Sequence, residues 1–202
     1  MTDLRLYTNP MSRGRIARWM LEEVGQPYDV TVIQYGPDMK GPDYTSINPM
    51  GKVPTLIHKR QTITETAAIC AYLAETFPEA GLKPGADQLG TYYRWLFFAA
   101  GPVEAATANE AMGFSPSDEQ AQMSGYGTFE TMYDTLVNAI SKQDYLCGSQ
   151  FTAADIYLGS QVGWGLQFGT LPGHPALEAY RDRLYARPAA VRATQLDDAL
   201  AA

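Results

Sequence analysis

Cysteine is scarce in this chain of 202 residues. Cys70 and Cys147 are the only two, and they form neither a CxxC pair nor a zinc-ligand spacing, so neither a redox dithiol nor a disulfide framework is expected. A reducing, cytoplasmic setting fits that usage. Histidine is as rare: His58 and His174 are too few and too scattered for a metal site, and no metal is expected. No stretch approaches the ~18 apolar residues that a membrane helix requires, and the opening MTDLRLYTNP lacks a basic region followed by an apolar one, so neither insertion nor export is expected. Positive charge is in deficit, with 15 Lys and Arg against 22 Asp and Glu for a formal net charge of -7 and no long basic run. Such a chain repels phosphate backbones, which excludes nucleic acid as an expected partner. GFSPS at 113–117 is not a nucleophile elbow, and no hydrolase triad is assigned.

What is present suits a globular protein: 46% hydrophobic and 18% charged residues are enough for a core without covalent staples. The first part alternates strand and helix signals. Leu4 to Thr8 reads as a short strand, and Ser12 to Val24 carries Ile16, Met20 and Val24 on one helical stripe, beside Ala17 and Leu21. Gly25 and Pro27 stop that helix. Tyr28 to Ile33 reads as a second strand, completing a βαβ unit. Gln34 to Lys52 reads as loop, punctuated by glycine and proline. Strands at Thr55 to His58 and Thr62 to Thr64 then flank a tight turn, and a helix runs from about Glu65 to Thr76. FPEAGLKPGAD at 77–87 is the linker candidate, giving domains at 1–78 and 89–202 with a linker at 79–88. Beyond it strand signals nearly vanish. Leu89 to Ala111, Gly127 to Ser141 and Leu177 to Arg187 read as helices, the last ended by Pro188. Thr152 as N-cap, Asp155 three residues on, and Phe151 with Ile156 as a hydrophobic staple mark another helix start.

The first helix breaks a local rule. Arg13, Arg15 and Arg18 occupy its N-terminal half and Glu22 and Glu23 its C-terminal end, opposite to what the helix dipole favours. One reading is an anion site at the helix mouth, after the loop Thr8 to Ser12. The other is ion pairing with another helix or domain. Ser12 by itself fits an N-cap.

The sequence resembles the glutathione transferases, nearest the theta-like, serine-using branch. The resemblance rests on LYTNPMSRGRIARWMLEE near the start, NPMGKVPTL at 48–56, ITETAAICAYLAE at 63–75 and YLCGSQFTAADIYL at 145–158, whose order and spacing together are specific. It implies a thioredoxin-like βαβββα N-terminal domain followed by an all-helical domain. It implies that Ser12 donates to the sulfur of glutathione and favours its thiolate. NPMS lacks the commonest theta-like flank, and RGR at 13–15 echoes tyrosine-using classes, which makes Tyr7 the competing hydroxyl. Pro54 is expected in a cis bond, with Val53 meeting the cysteinyl backbone through its main chain. Thr66 suits the γ-glutamyl carboxylate and Glu65 the adjacent ammonium; both equally suit a plain helix cap. Lys52, and less directly Lys40, face the glycyl carboxylate or stand as solvated lysines. The second substrate is expected to be a hydrophobic electrophile meeting Asn109, Met112 and Phe114, residues that can instead be core. Cys70 and Cys147 read as packing residues. Alternatives on the same scaffold are a glutathione-dependent lyase, isomerase or etherase, or a noncatalytic glutathione-binding module. The family resemblance also implies a homodimer.

Overall fold

Alternating burial defines the first strand. In β1 (Leu4–Thr8), Leu4, Leu6 and Thr8 are buried while Arg5 and Tyr7 stay half exposed, the period of two expected of a pleated strand. Helix α1 (Gly14–Val24) buries the apolar stripe read from the sequence and ends on Gly25. At φ 72° that residue donates its N–H to the Leu21 carbonyl, a left-handed cap that glycine adopts without a Cβ clash. Strand β2 (Asp29–Val32) pairs parallel to β1, and β3 (Thr55–His58) pairs antiparallel to both β1 and β4 (Gln61–Ile63). The sheet order is β2-β1-β3-β4, and α4 (Thr66–Thr76) follows. The stretch read as loop also holds two single-turn helices, α2 (Pro37–Lys40) and α3 (Pro42–Thr45), each opened by the proline that pre-sets its first φ.

The computed structural model describes residues 2–201. They divide into one unit that runs up to Gly81 and resumes at Ala186, and another, Leu82–Tyr185. The second unit is helical: α5 (Leu89–Phe98), α6 (Glu104–Ala111), α7 (Asp118–Met123), α8 (Phe129–Ile140), α9 (Ala153–Phe168) and α10 (Pro175–Tyr185). The span read as one helix from 89 to 111 contains a π-turn at Ala99–Val103 around Pro102, whose missing N–H breaks the regular ladder. Helix α9 is buried on nearly all sides. Gly159 and Gly163 let α10 lie against it, because a Cβ at either position would strike Leu184 or Tyr185.

Pro188 does not merely stop a helix. It opens α11 (Pro188–Ala201), which packs on α1 within the first unit rather than with the helices that precede it. Three ion pairs join the two helices in antiparallel order, Arg15–Asp198, Arg18–Asp197 and Glu22–Arg192, and Arg187, the residue just before α11, pairs with Glu23. The inverted charge order of α1 has its partners there. For Arg15 and Arg18 the ion-pair reading holds.

Among the described residues, no helix is long and apolar enough to cross a membrane.

Candidate functional site

Strand pairing brings four loops to one end of the sheet. Tyr7 lies opposite Thr55, Thr8 beside Val32, and Leu56 opposite Ile63. The segments after β1, after β2, before β3 and after β4 therefore leave from the same end, and α1 and α4 both begin there. Tyr7, Ser12, Val53, Pro54, Glu65 and Thr66 all belong to this end of the first unit.

The loop after β1 is held tightly. Asn9 is buried, donates from Nδ2 to the Ile33 carbonyl at 2.9 Å and accepts the Met11 N–H on Oδ1 at 2.9 Å. The Tyr35 hydroxyl donates to the Met11 carbonyl at 3.0 Å, and Arg15 Nε donates to the Pro10 carbonyl. The half-buried Ser12 hydroxyl donates to the Asn9 carbonyl at 2.7 Å and accepts the Gly14 N–H at 2.9 Å. The N–H groups of Arg15 and Ile16 close on the Ser12 and Arg13 carbonyls. The first turn of α1 is thus closed by its own loop, with a hydroxyl at its mouth. Gly14 is required there, since a Cβ would collide with the Thr8 side chain. Thr8 Oγ1 itself is buried without a hydrogen-bond partner among the described residues.

Tyr7 takes the half-exposed face of β1. Its ring lies 5.9 Å from that of Tyr44, and its hydroxyl makes no hydrogen bond among the described residues.

The segment before β3 behaves differently. The Val53–Pro54 peptide is cis, as expected. Neither main-chain group of Val53 has a hydrogen-bond partner among the described residues. A buried polar cluster fixes the chain just ahead of it: the Tyr44 hydroxyl and Asn48 Nδ2 donate to the Lys52 carbonyl at 2.6 and 2.8 Å, and both groups also bond the Thr55 hydroxyl. Burial pushes the Tyr44 hydroxyl above its ordinary pKa. Sequence reading missed Tyr44, Asn48 and Thr55 as supports, because polar residues in a loop look solvated until the fold buries them. Lys40 is committed to this turn, its ammonium donating to the Met50 and Gly51 carbonyls at 3.1 and 2.8 Å. The Lys52 side chain is exposed and unpaired among the described residues.

At the start of α4, Glu65 holds φ 62° and ψ 116°, a region that costs a side-chain-bearing residue ~1–3 kcal/mol. Its carboxylate is exposed and makes no ion pair among the described residues. Thr66 is buried, and neither its N–H nor its hydroxyl has a partner among them. Among the described residues, two unpaired charges of opposite sign, a hydroxyl and N–H without partners, and the unpaired main chain of Val53 therefore lie at this end of the sheet.

Asn109, Met112 and Phe114 lie in the second unit, at and just past the end of α6. Asn109 Nδ2 donates to the Tyr126 hydroxyl at 2.9 Å, whereas Met112 is 73% and Phe114 45% exposed. Met112 and Phe114 are therefore not core. Cys70 and Cys147 are buried, and burial pushes their thiols up to about 12 and about 11, leaving them as inert packing groups. Among the described residues, no three His, Cys, Asp or Glu side chains form a group that could hold a metal ion.

Known proteins match nearly the whole of this chain. The family profile of the glutathione S-transferase N-terminal domain matches residues 11–76, and that of the glutathione S-transferase C-terminal domain matches residues 92–188. A glutathione S-transferase of Xanthomonas campestris pv. campestris, GST-4.5, is 30% identical over 195 residues, 91% of this chain and 93% of its own. The crystal structure of a glutathione transferase from Methylococcus capsulatus superposes with a TM-score of 0.80 at 26% identity, covering 96% of this chain and 98% of that one. A sphingomonad glutathione S-transferase solved in complex with glutathione gives a TM-score of 0.76, also at 26% identity, over 96% and 98% of the two chains.

Proposed function

Because the chain belongs to the glutathione S-transferase family, we propose that it binds glutathione at the sheet end described above and transfers it, through a thiolate favoured by Ser12, to an electrophilic hydrophobic compound. The observation that carries this reading is that, among the described residues, the Val53 main chain next to cis-Pro54 and the Glu65–Thr66 helix start both lack partners. Val53 offers one N–H and one C=O to the cysteinyl residue, as strand addition does. Thr66 offers its N–H and hydroxyl to the γ-glutamyl carboxylate at a helix N-terminus, and Glu65 offers its carboxylate to the ammonium. Lys52 takes the glycyl carboxylate; Lys40 supports it by holding the 50–51 turn.

A hydroxyl has one proton to give. The Ser12 hydroxyl gives it to the Asn9 carbonyl, so serving a sulfur means exchanging that neutral acceptor for a charged one, which is the stronger bond. Lowering a thiol from pKa ~8.5 to ~6.5 is about 2.7 kcal/mol and raises the thiolate fraction at pH 7 from roughly 3% to roughly 75%. The weaker base is also a poorer nucleophile, and with a Brønsted slope of ~0.45 the net gain is about threefold. Most of the acceleration must come from holding the electrophile near the sulfur. The exposed Met112 and Phe114 offer apolar surface for such a compound.

Tyr7 is the second reading, favoured by a hydroxyl that makes no hydrogen bond among the described residues. Titrating the thiolate absorbance of bound glutathione decides between the two. On the Ser12 reading, Ser12→Ala moves the bound thiol back toward ~8.5 and lowers turnover while glutathione still binds, and Tyr7→Phe does neither. If Ser12→Ala leaves both titration and turnover intact, the Ser12 reading is wrong; a shift in Tyr7→Phe alone transfers the role. The homodimer implied by the family is tested by sedimentation equilibrium, where twice the chain mass supports it and the chain mass overturns it.

A further inference from the structure

Both partners of the α1–α11 pairing carry charge against their own dipoles, with bases near each N-terminus and acids near each C-terminus. That order is unfavourable for either helix alone, and the pairs that stay exposed, Arg15–Asp198 and Glu22–Arg192, add little stability as surface ion pairs. The arrangement has a more specific consequence at its upper end. Arg15 is held at two points: Nη2 donates to Asp198 Oδ1 at 2.6 Å, and Nε donates to the Pro10 carbonyl. Pro10 stands two residues before Ser12. It has no N–H of its own, so its carbonyl is the only main-chain hydrogen-bonding group it offers for anchoring the loop.

Every carbonyl from Asn9 to Ser12 has a donor. Asn9 receives Ser12, Met11 receives Tyr35, Ser12 receives the Arg15 N–H, and Pro10 receives the Arg15 side chain. Of these donors, only the Arg15 guanidinium is held in turn by a residue of α11 among the described residues. The adjacent pair, Arg18 with Asp197 at 2.7 Å, has side chains 3% and 1% exposed, which fixes the register of α11 and brings Asp198 to Arg15. A planar guanidinium gripped at one edge presents its Nε in a set direction, which an ammonium cannot reproduce.

We propose that α11 is a positioning element for the Ser12 loop: Asp198 sets the Arg15 guanidinium, and Arg15 sets the Pro10 carbonyl and with it the Ser12 hydroxyl. Asp198 and Arg15 are positioning residues, and their effect on turnover rests on the Ser12 reading given above. The clamp is partly exposed, Asp198 by 61% and Arg15 by 27%, so salt weakens it.

The test uses the full-length protein with glutathione and a nitro-activated aryl chloride. Hydrogen exchange is followed in peptides spanning residues 8–14, and kcat is separated from the KM for glutathione. Asp198→Asn is expected to speed exchange at Met11 and Ser12 by about threefold to fivefold, the scale of one exposed ion pair, and to lower kcat with little change in KM. Asp198→Glu restores both. Arg15→Lys behaves as Asp198→Asn does, and combining the two adds nothing further, as members of one unit should. Arg192→Gln, at the far end of the ladder, leaves exchange in 8–14 unchanged. Exchange that is unaltered in Asp198→Asn, or that rises equally throughout the chain, overturns the clamp. Faster loop exchange with unchanged kcat keeps the clamp and removes Ser12 from the chemistry. Unaltered exchange alongside a Ser12→Ala variant that has lost turnover does the reverse.

Discussion

The starts of α4 and α9 use the same kinds of residue and treat them in opposite ways. At α9, Thr152 and Asp155 are buried, and the Asp155 carboxylate accepts four hydrogen bonds: from the Thr152 N–H and hydroxyl on Oδ2, and from the Leu146 N–H and Tyr180 hydroxyl on Oδ1. At α4, Glu65 and Thr66 make no side-chain bond among the described residues, and Glu65 is held in an unfavourable backbone region besides. A buried donor or acceptor left open costs ~1–3 kcal/mol. A closed cap is therefore the default that stability selects, and an open one points to a partner that is not part of the chain. Acidic and hydroxyl residues at a helix start carry either meaning, and satisfaction tells them apart.

The comparison breaks most visibly at its closed side. Asp155→Ala strands two N–H groups and two hydroxyls in the interior of the second unit, and a loss of about 4 kcal/mol or more in urea unfolding is expected. A loss below about 1 kcal/mol would mean that the network is not the structural keystone its geometry implies.

Asp197→Ala is the next largest. It leaves the Arg18 guanidinium buried with its principal partner gone, and about 3 kcal/mol of destabilisation is expected. The existing pair is imperfect, since Arg18 Nη2 and Asp197 Oδ2 both lack partners among the described residues and burial raises the Asp197 carboxyl above its ordinary range despite the adjacent guanidinium. Replacing both residues, Arg18→Met with Asp197→Leu, should therefore recover much of the loss, as apolar substitutes for buried pairs do. Failure of the double variant to exceed the single one would show that the charges themselves hold α11 in place.

Much of this was legible beforehand, and the exceptions have physical reasons. The β1 bounds and the capping box at Thr152 are local patterns, and local patterns are read well from one chain. The inverted charges on α1 were visible too, but their meaning lay some 180 residues away on α11. That helix escaped notice because its buried contacts are alanines, Ala189, Ala190 and Ala193, too small to give a strong stripe, and because Pro188 signals a stop and a first helical position alike. The π-turn in 99–103 had only Pro102 to announce it. The site residues were named from the family pattern, yet nothing in the letters indicated that Lys40 is occupied, that Tyr44, Asn48 and Thr55 bury a polar brace, or that Glu65 has a positive φ.

On the open side, Thr66→Val removes a hydroxyl that bonds nothing among the described residues while keeping its shape. Stability should stay within ~0.5 kcal/mol. Glutathione affinity by calorimetry should fall about tenfold to hundredfold, the loss of one hydrogen bond to a charged group. A large drop in stability with unchanged affinity would reverse the assignment and make Thr66 a cap like Thr152.

Glu65→Gly gives the smallest effect and the sharpest contrast, because the two measurements should move in opposite directions. Glycine adopts φ 62° without a Cβ clash, so thermal unfolding should show a gain of about 1 kcal/mol, net of the extra freedom glycine has when unfolded. The same change deletes the carboxylate assigned to the ammonium of glutathione, and affinity should weaken. Glu65→Gln separates the two contributions: it keeps the strained backbone and loses the charge, so it should bind as poorly as Glu65→Gly while showing no gain in stability. If Glu65→Gly loses stability, the conformation is not strained and the residue is an ordinary helix start. If it gains stability and binds glutathione undiminished, the strain serves something other than this ligand, and the open cap of α4 loses its proposed occupant.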